Sequence, residues 1–245
     1  MGGNRLPDKR SHHGKHPRDD VLFAPDQTEH LRQAVADLSW LLSHGYAEKS
    51  SLKLVGDRYA LCQRQRTAVM RCACSDTERA HRRSRRLTLE ALAHRPLLLD
   101  GYNIITTLET ALAGGVILTA RDGAFRDIAG IHGTYRKVEE TVPALEILAR
   151  ALARTHADNC LWYLDRPVSN SGRLKTLILQ IARDGRLPWD VELVANPDPI
   201  LACAPHTVVT SDSIILNDCK SWYNLMDQII ANHLENIFLV DLSTS

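Results

Sequence analysis

Three aspartates stand where apolar runs of the chain end, and they could act together if the fold brings them close. Asp100 and Asp165 come directly after such runs, and Asp212 comes two residues after a third. Carboxylates gathered within a few ångströms repel one another, so either their pKa values rise or a cation neutralises them. Oxygen ligands suit Mg²⁺ or Mn²⁺, and such a cation can activate water and clamp phosphate oxygens. One such aspartate is more often a turn residue or a helix N-cap, but three in one sheet favour a metal site for phosphodiester hydrolysis.

The elements that must position these aspartates are alternating strands and helices from Pro96 onward. Strand-sized apolar runs alternate with segments of helical period such as 142–153 and 173–183. This alternation predicts an α/β fold with a mostly parallel, Rossmann-like sheet flanked by helices on both faces. Ligands bind at the carboxyl ends of the strands in such sheets. The predicted strands cover residues 97–99, 116–119, 161–164, 191–195, 208–210 and 237–240.

The chain before Pro96 has a different texture. Residues 1–20 have almost no apolar content and are predicted to form a disordered basic tail. Residues 21–95 show helical periodicity, and Ser75 and Glu78 have the spacing of a capping box that begins a helix. The sequence therefore predicts this tail, a small all-α basic domain at 21–95 and an α/β domain at 96–245.

One predicted helix of the all-α domain carries four arginines on a single face. Arg79, Arg82, Arg83 and Arg86 follow the spacing i, i+3, i+4, i+7. Guanidinium groups fork onto phosphate oxygens, so this stripe predicts contact with a nucleic-acid backbone. The alternative is a solvated face, or one paired with acidic residues elsewhere in the chain.

Composition narrows the classes of function. Residues 1–96 hold 18 basic and 11 acidic side chains and residues 97–245 hold 12 and 18, so the overall +1 is the sum of +7 and −6. This asymmetry favours a basic segment for a polyanion and an acidic one for a cation, with two unrelated solvated surfaces as the alternative. No apolar run approaches the roughly 20 residues of a membrane span. The six cysteines lie mostly in apolar patterns with no signal peptide before them, which predicts reduced thiols in the cytoplasm.

The motifs at the strand ends resemble those of the PIN-like superfamily, in particular its NYN branch of metal-dependent ribonucleases. The resemblance is carried by Asp100-Gly101-Tyr102-Asn103, Asp165 and Thr210-Ser211-Asp212, and it covers residues 96–242. The stretch 52–74, joined to the run LLLDGYNIITTLE, also resembles an uncharacterised prokaryotic family with an added N-terminal helical domain.

The nuclease resemblance implies roles for individual residues. Asp100, Asp165 and Asp212 match the metal-binding, catalytic acidic positions of the superfamily. Asn103 matches the polar residue that accompanies the first aspartate, and Ser211 matches a residue that orients Asp212. The cofactor implied is Mg²⁺ or Mn²⁺.

One further acidic ligand of the superfamily has no unique counterpart in this chain. Glu109, on the helix after Asn103, is our first choice for this metal ligand. Asp122, Asp127 and Glu140 are the alternatives, which leaves the number of metal ions open. Asp122 is more simply explained as a turn residue paired with Arg126.

The segment after Asp165 holds candidates for substrate contact. NYN members often have an acidic residue at the start of the following helix, whereas this chain has Ser169 and Asn170 there. These two side chains are interpreted as weaker ligands, or as part of a helix N-terminus that grips a phosphate. Arg166 and Arg173 flank the same strand end and are candidate phosphate contacts.

Taken together, these features predict a divalent-metal-dependent endonuclease that hydrolyses phosphodiester bonds at the acidic edge of the sheet. RNA is preferred over DNA as partner on the resemblance alone. The alternative is a non-catalytic RNA-binding or assembly module that keeps the fold. A phosphohydrolase for small esters ranks last, because Asp100-Gly101-Tyr102 lacks the second aspartate of a D-x-D motif. No membrane partner is expected, and a homo-oligomer is compatible with the sequence.

Overall fold

A computed structural model describes residues 14–129, 135 and 137–243 of the chain. The predicted α/β fold is confirmed, since five parallel strands form a sheet flanked by helices and a helical region precedes it. Within the described ranges, no helix is long and apolar enough to cross a membrane. The helices span Asp19–Leu22 (α1), Pro25–Ser43 (α2), Glu48–Arg58 (α3), Gln63–Cys72 (α4), Asp76–Arg85 (α5), Gly101–Leu112 (α6), Thr141–Ala153 (α7), Ser171–Asp184 (α8), Asp198–Ala202 (α9), Ser213–Asp218 (α10) and Leu225–His233 (α11). The strands span Pro96–Asp100 (β1), Val116–Thr119 (β2), Phe125–Asp127 (β3), Asn159–Asp165 (β4), Trp189–Val194 (β5), Thr207–Val209 (β6), Trp222–Tyr223 (β7) and Phe238–Asp241 (β8).

Local sequence explains where two N-terminal helices begin and end. One apolar face of α2, which includes Leu31 and Leu38, is fully buried. This helix ends before Gly45, whose φ of +78° is a left-handed conformation that glycine adopts without strain. Helix α5 begins with the predicted capping box: the Glu78 N–H donates to Ser75 Oγ at 3.2 Å and the Ser75 N–H donates to Glu78 Oε2 at 2.8 Å.

The main sheet has the strand order β5-β4-β1-β6-β7, and every neighbouring pair is parallel. Side chains of β1 alternate between the two faces, as strand geometry requires. Leu97 and Leu99 pack in the core formed with α6, α7, α8 and α11, whereas Leu98 packs with α9 and α10. Helices therefore lie on both faces of this sheet, as predicted.

Two predicted strands, 116–119 and 237–240, belong to a separate sheet. Strand β2 pairs antiparallel with β3 and parallel with β8, which gives the order β3-β2-β8. Val116, Leu118 and Val240 pack against apolar side chains of α1 to α4. The expectation of one sheet is therefore wrong for β2 and β8, because apolar content identifies a strand but not its neighbour.

The N-terminal helical region shares this second core, and α1 begins within the segment predicted to be a tail. Asp19 is fully buried and accepts hydrogen bonds from Arg64 Nε at 2.5 Å and from Arg64 Nη2 at 2.9 Å. The prediction of a disordered tail is therefore wrong at its C-terminal end, because this ion pair anchors α1 to α4. The rest of that prediction, for residues 1–13, lies outside the described residues.

Candidate functional site

The carboxyl ends of three adjacent strands, β4, β1 and β6, bring the predicted aspartates to one edge of the main sheet. Asp165 is the last residue of β4 and Asp100 is the last residue of β1. Asp212 follows β6 as the N-cap of α10, where its carboxylate accepts the N–H groups of Ile214 and Ile215. Although Asp212 caps a helix, its carboxylate can still bind a ligand, because one carboxylate has about four acceptor positions.

The edge lies at the point where the strand order reverses. From β1 the chain continues towards β4, and from β6 it continues towards β7 on the opposite side. Crevices at such positions are where open α/β sheets bind ligands.

Hydrogen bonds tie the loop after β6 to the beginning of α6. The Thr210 hydroxyl donates to Asp100 Oδ2 at 2.7 Å. The Ser211 N–H and hydroxyl donate to Asn103 Oδ1 at 2.8 and 3.0 Å. The structure therefore brings Asn103 and Ser211 together. The side-chain oxygen of Asn103 holds the loop that carries Asp212.

Gly101 explains how α6 can begin directly at the strand end. A Cβ atom on this residue would lie 2.8 Å from the Tyr163 carbonyl oxygen and 2.5 Å from Leu164 Cδ2. Any side chain would therefore push α6 away from β4, and Asn103 would move with it.

The carboxylates at the edge influence one another. Burial, opposed by the hydrogen bond from Thr210, raises the pKa of Asp100 to about 7. The charges of Asp212, Asp198 and Asp165 contribute to this increase. Burial and the charge of Asp198 also raise the pKa of Asp165. A bound cation would reverse these shifts, because it favours the ionised form of each carboxylate.

Asp198 is a fourth acidic residue of this edge, and it is missing from the sequence-based site. It begins α9, four residues after the end of β5, and its pKa is raised by burial and by the charge of Asp212. Its motif, Asn196-Pro197-Asp198-Pro199, reads as a turn. The sequence does contain a signal for Asp198, because this turn follows the carboxyl end of the predicted strand 191–195.

Glu109, the first choice for the additional ligand, does not belong to the edge. It lies eight residues into α6, about 12 Å along the helix axis from Gly101 at 1.5 Å per residue. Its side chain is fully buried, and its Oε1 accepts hydrogen bonds from the hydroxyls of Tyr135 and Thr141, both at 2.5 Å. Burial raises the pKa of Glu109 to about 7. The structure therefore does not bring Glu109 to the edge with the three aspartates, because its carboxylate joins α6 to α7.

Two of the alternatives are also engaged in structural contacts. Asp127 accepts a hydrogen bond from the Thr107 hydroxyl at 2.7 Å and pairs with Arg71 at 3.2 Å. Asp122 forms a two-pronged pair with Arg126 at 3.0 and 2.7 Å, as predicted for a turn and salt bridge. The third alternative, Glu140, precedes α7 on the Glu109 side of the fold, where its charge acts on that residue.

The donor chemistry of the edge fits a hard divalent cation, but three protein ligands are not preformed around one position. Among the described residues, no group of three or more His, Cys, Asp or Glu side chains is arranged to hold a metal ion. The predicted sharing of one ion by Asp100, Asp165 and Asp212 is therefore not present as a closed cage. Mg²⁺ usually keeps several waters and binds through one or two carboxylates plus substrate phosphates. The residues at the edge fit that more open type of site.

An open cleft of about 340 Å³ adjoins the Asp212 side of the edge. It lies between α4, the beginning of α6, β3 and the loop after β6, so the N-terminal helical region forms one of its walls. Its lining combines hydroxyl, amide, carboxylate and guanidinium groups with a few apolar side chains. The lining residues are Met70, Arg71, Tyr102, Asn103, Thr106, Arg126, Asp127, Ala129, Ser211, Asp212 and Ser213.

The four arginines predicted as one stripe do not form one exposed surface. Arg82 is 2% exposed, and it pairs with Asp122 at 2.7 Å. Helix α5 ends at Arg85, so Arg86 lies outside it and pairs with Asp227. Arg83 is exposed and Arg79 is half-buried. The prediction of one continuous basic stripe is therefore wrong, because the guanidinium groups of Arg82 and Arg86 neutralise carboxylates of the α/β part.

The loop between β4 and α8 extends the edge on the Asp165 side. Arg166, Ser169 and Asn170 are exposed on this loop, and Arg173 is exposed in the first turn of α8. Asn170 precedes α8 in a left-handed conformation, with φ of +70°, and its side-chain N–H donates to the Tyr135 carbonyl at 2.9 Å. Arg166 donates through Nη2 to a backbone carbonyl of β5 at 2.8 Å, which leaves other N–H groups of its guanidinium directed to solvent. This loop is therefore placed where substrate phosphates could approach the carboxylates.

Comparison with known proteins identifies the family of the chain. A family described as "Domain of unknown function (DUF5616)" matches residues 89–228, and one described as "Protein of unknown function (DUF434)" matches residues 30–85. An uncharacterized protein of Methanocaldococcus jannaschii is 27% identical over 186 residues, which cover 76% of this chain and 88% of that protein. No solved structure matches the chain. The first match contains all four aspartates of the edge and extends over more than half of the sequence, so the protein belongs to the DUF5616 family.

Proposed function

We propose that this protein is a divalent-metal-dependent endoribonuclease of the PIN-like, NYN type that acts in the cytoplasm. The observation that supports this best is the group of four aspartates at the strand-order reversal, where burial and mutual repulsion raise three of their pKa values. So many carboxyl groups at one ligand-binding edge are costly without a cation. A carboxylate-rich edge next to an open cleft is suited to phosphodiester hydrolysis.

The residues of the chain have separate roles in this proposal. A bound Mg²⁺ or Mn²⁺ would supply a water nucleophile at neutral pH and neutralise charge on the phosphate. Asp100 and Asp212 would hold the ion, with Thr210 fixing the Asp100 carboxylate through its hydrogen bond. Asp165 and Asp198, which are half-buried, would bind metal-bound water or a second ion.

RNA would approach through the cleft and the loop after β4. The cleft wall formed by α4 carries Arg71, which pairs with Asp127 through Nη1 and has other N–H groups left for a phosphate. The loop carries Arg166, and the first turn of α8 carries Arg173. These positions lie on opposite sides of the edge, so a strand bound to both would pass over the carboxylates. They replace the α5 stripe as the proposed phosphate contacts, with only Arg83 of that stripe exposed.

The second candidate is a non-catalytic RNA-binding or assembly module with the same fold. It is favoured by the finding that no three acidic or other ligating side chains of the described residues are arranged to hold an ion. In that case Asp100, whose pKa burial raises to about 7, would remain partly protonated at neutral pH, and no hydrolysis would occur.

Incubation of the full chain with end-labelled RNA distinguishes the two candidates. We expect cleavage of a single-stranded or hairpin RNA in Mn²⁺ or Mg²⁺ at pH 7.5, complete inhibition by EDTA, and binding that weakens steeply as salt rises. Tight RNA binding without cleavage in any divalent metal would support the non-catalytic module. Cleavage that persists in EDTA would contradict the metal-dependent mechanism.

A further inference from the structure

A buried hydroxyl without a hydrogen-bond partner lies beside the carboxylate edge. Tyr102 is 6% exposed, and its Oη makes no hydrogen bond with any described residue. The residue is in the first turn of α6, two positions after Asp100, and it lines the cleft together with Asn103 and Asp212.

Other tyrosines of comparable burial have a partner for the hydroxyl. Tyr223 is also 6% exposed, and its Oη donates to Gln228 Oε1 at 3.1 Å. Tyr135, which packs against the Tyr102 ring at 5.3 Å, donates to Glu109. A buried hydroxyl that makes no hydrogen bond lowers stability, and phenylalanine would fill the same volume without that loss. The hydroxyl of Tyr102 therefore points to a partner outside the chain.

The charges around Tyr102 indicate what that partner is. The phenol hydroxyl of Tyr102 is a hydrogen-bond donor, and the charge of Asp165 acts on it. Asp165 and Asp212, on either side of it, are acceptors when ionised. A phosphate group approaching them needs a hydrogen-bond donor that adds no further negative charge, and a phenol hydroxyl is such a donor.

We infer that the Tyr102 hydroxyl donates a hydrogen bond to a phosphate oxygen of the RNA strand bound in the cleft. The inference rests on the proposed function for the identity of the ligand. Tyr102 is then a residue that contacts the substrate. Its buried hydroxyl, which makes no hydrogen bond in the free protein, lowers the stability of that state.

The substitution Tyr102→Phe tests this inference, with Tyr223→Phe as the matched control. Affinity for a fluorescein-labelled single-stranded RNA is measured with Ca²⁺ in place of Mn²⁺, cleavage is measured in Mn²⁺, and the thermal midpoint is measured without RNA. Loss of a hydrogen bond to a charged group should weaken RNA binding or slow cleavage about 10-fold or more. The midpoint of Tyr102→Phe should stay the same or rise. Tyr223→Phe should show the opposite pattern, a lower midpoint with unchanged RNA binding and cleavage.

The outcomes separate this inference from the proposed nuclease activity. Wild-type affinity and rate in Tyr102→Phe would overturn the inference, as would a fall in midpoint as large as that of the control. If the wild-type protein binds RNA without cleaving it, the nuclease proposal fails but the affinity comparison still decides the role of Tyr102. If it neither binds nor cleaves RNA, both proposals are overturned.

Discussion

Replacement of Asp100 or Asp212 by asparagine should abolish metal-dependent RNA cleavage. Each substitution keeps the shape of the side chain but removes the negative charge that would hold the cation. A metal ion supplies several kcal/mol of transition-state stabilisation, and each 1.36 kcal/mol is a factor of ten in rate. We therefore expect cleavage rates at least about 10³-fold below those of the wild-type protein, measured with end-labelled RNA in Mn²⁺.

Stability measurements show whether such a loss reflects chemistry or unfolding. The pKa of Asp100 rises on folding from about 4 to about 7. The stabilising contribution of this group is therefore fully present below about pH 4 and is lost as pH rises towards 7. At pH 7.5 and without metal, Asp100→Asn should be as stable as the wild-type protein or more stable, by up to about 4 kcal/mol. If Asp100→Asn is both inactive and unfolded, the role of the edge in cleavage is decided by Asp212→Asn alone.

The matched control is Asp190→Asn, at the other end of β5. Asp190 is exposed and is the second residue of its strand, far from the carboxyl end. The same chemical change there should leave cleavage unchanged. Cleavage that survives in both Asp100→Asn and Asp212→Asn would place the active site elsewhere in the chain.

Replacement of Asp122 by alanine should cause the largest loss of stability. This carboxylate is fully buried among Arg82, Arg126 and the Ala124 N–H, with contacts between 2.7 and 3.0 Å. Although burial opposes ionisation, Arg126 and Arg82 hold its pKa below the usual range. Its removal leaves the buried Arg126 without a counter-charge and Arg82 with only the longer contact to Glu78 at 3.4 Å. Breaking a buried ion pair in this way costs about 3 to 5 kcal/mol in other proteins. We expect a loss of this size in the free energy of unfolding by urea.

Loss of the Asp122 carboxylate should also disturb the candidate site, because Arg126 joins β3 to α4 and to the loop after β6. Its Nε donates to the Ser211 carbonyl at 2.8 Å and its Nη1 donates to the Arg71 carbonyl at 3.1 Å. The matched control is Lys53→Ala, which breaks an exposed i,i+4 ion pair with Asp57 and should leave the unfolding midpoint unchanged. Equal effects of Asp122→Ala and Lys53→Ala would contradict the role of the buried cluster.

The sequence is sufficient to predict the positions of Asp100, Asp165 and Asp212 at one edge. Each follows a short apolar run, and parallel strands bring their carboxyl ends together without any knowledge of side-chain packing. Asp198 is different, because a proline-rich turn separates it from β5. Its place depends on the pairing of β5 with β4, which is a long-range contact that periodicity does not report.

The arginines of α5 show the other limit of sequence reasoning. The spacing of Arg79, Arg82 and Arg83 correctly places them on one helix, but spacing does not reveal what covers a helix face. Arg82 meets Asp122, which lies 40 residues further along the chain. Glu109 is similar, because its position on α6 is predictable, whereas its burial against Tyr135 depends on how α7 packs.

Diffraction from crystals grown with Mn²⁺ tests the central claim most directly, because anomalous scattering locates the metal independently of activity. We expect one Mn²⁺ at the carboxyl ends of β1 and β6, with an oxygen of Asp100 or Asp212 at about 2.0 to 2.6 Å and water in the remaining positions. No manganese at this edge, or manganese bound instead beside Glu109 or Asp127, would contradict the metal-dependent site.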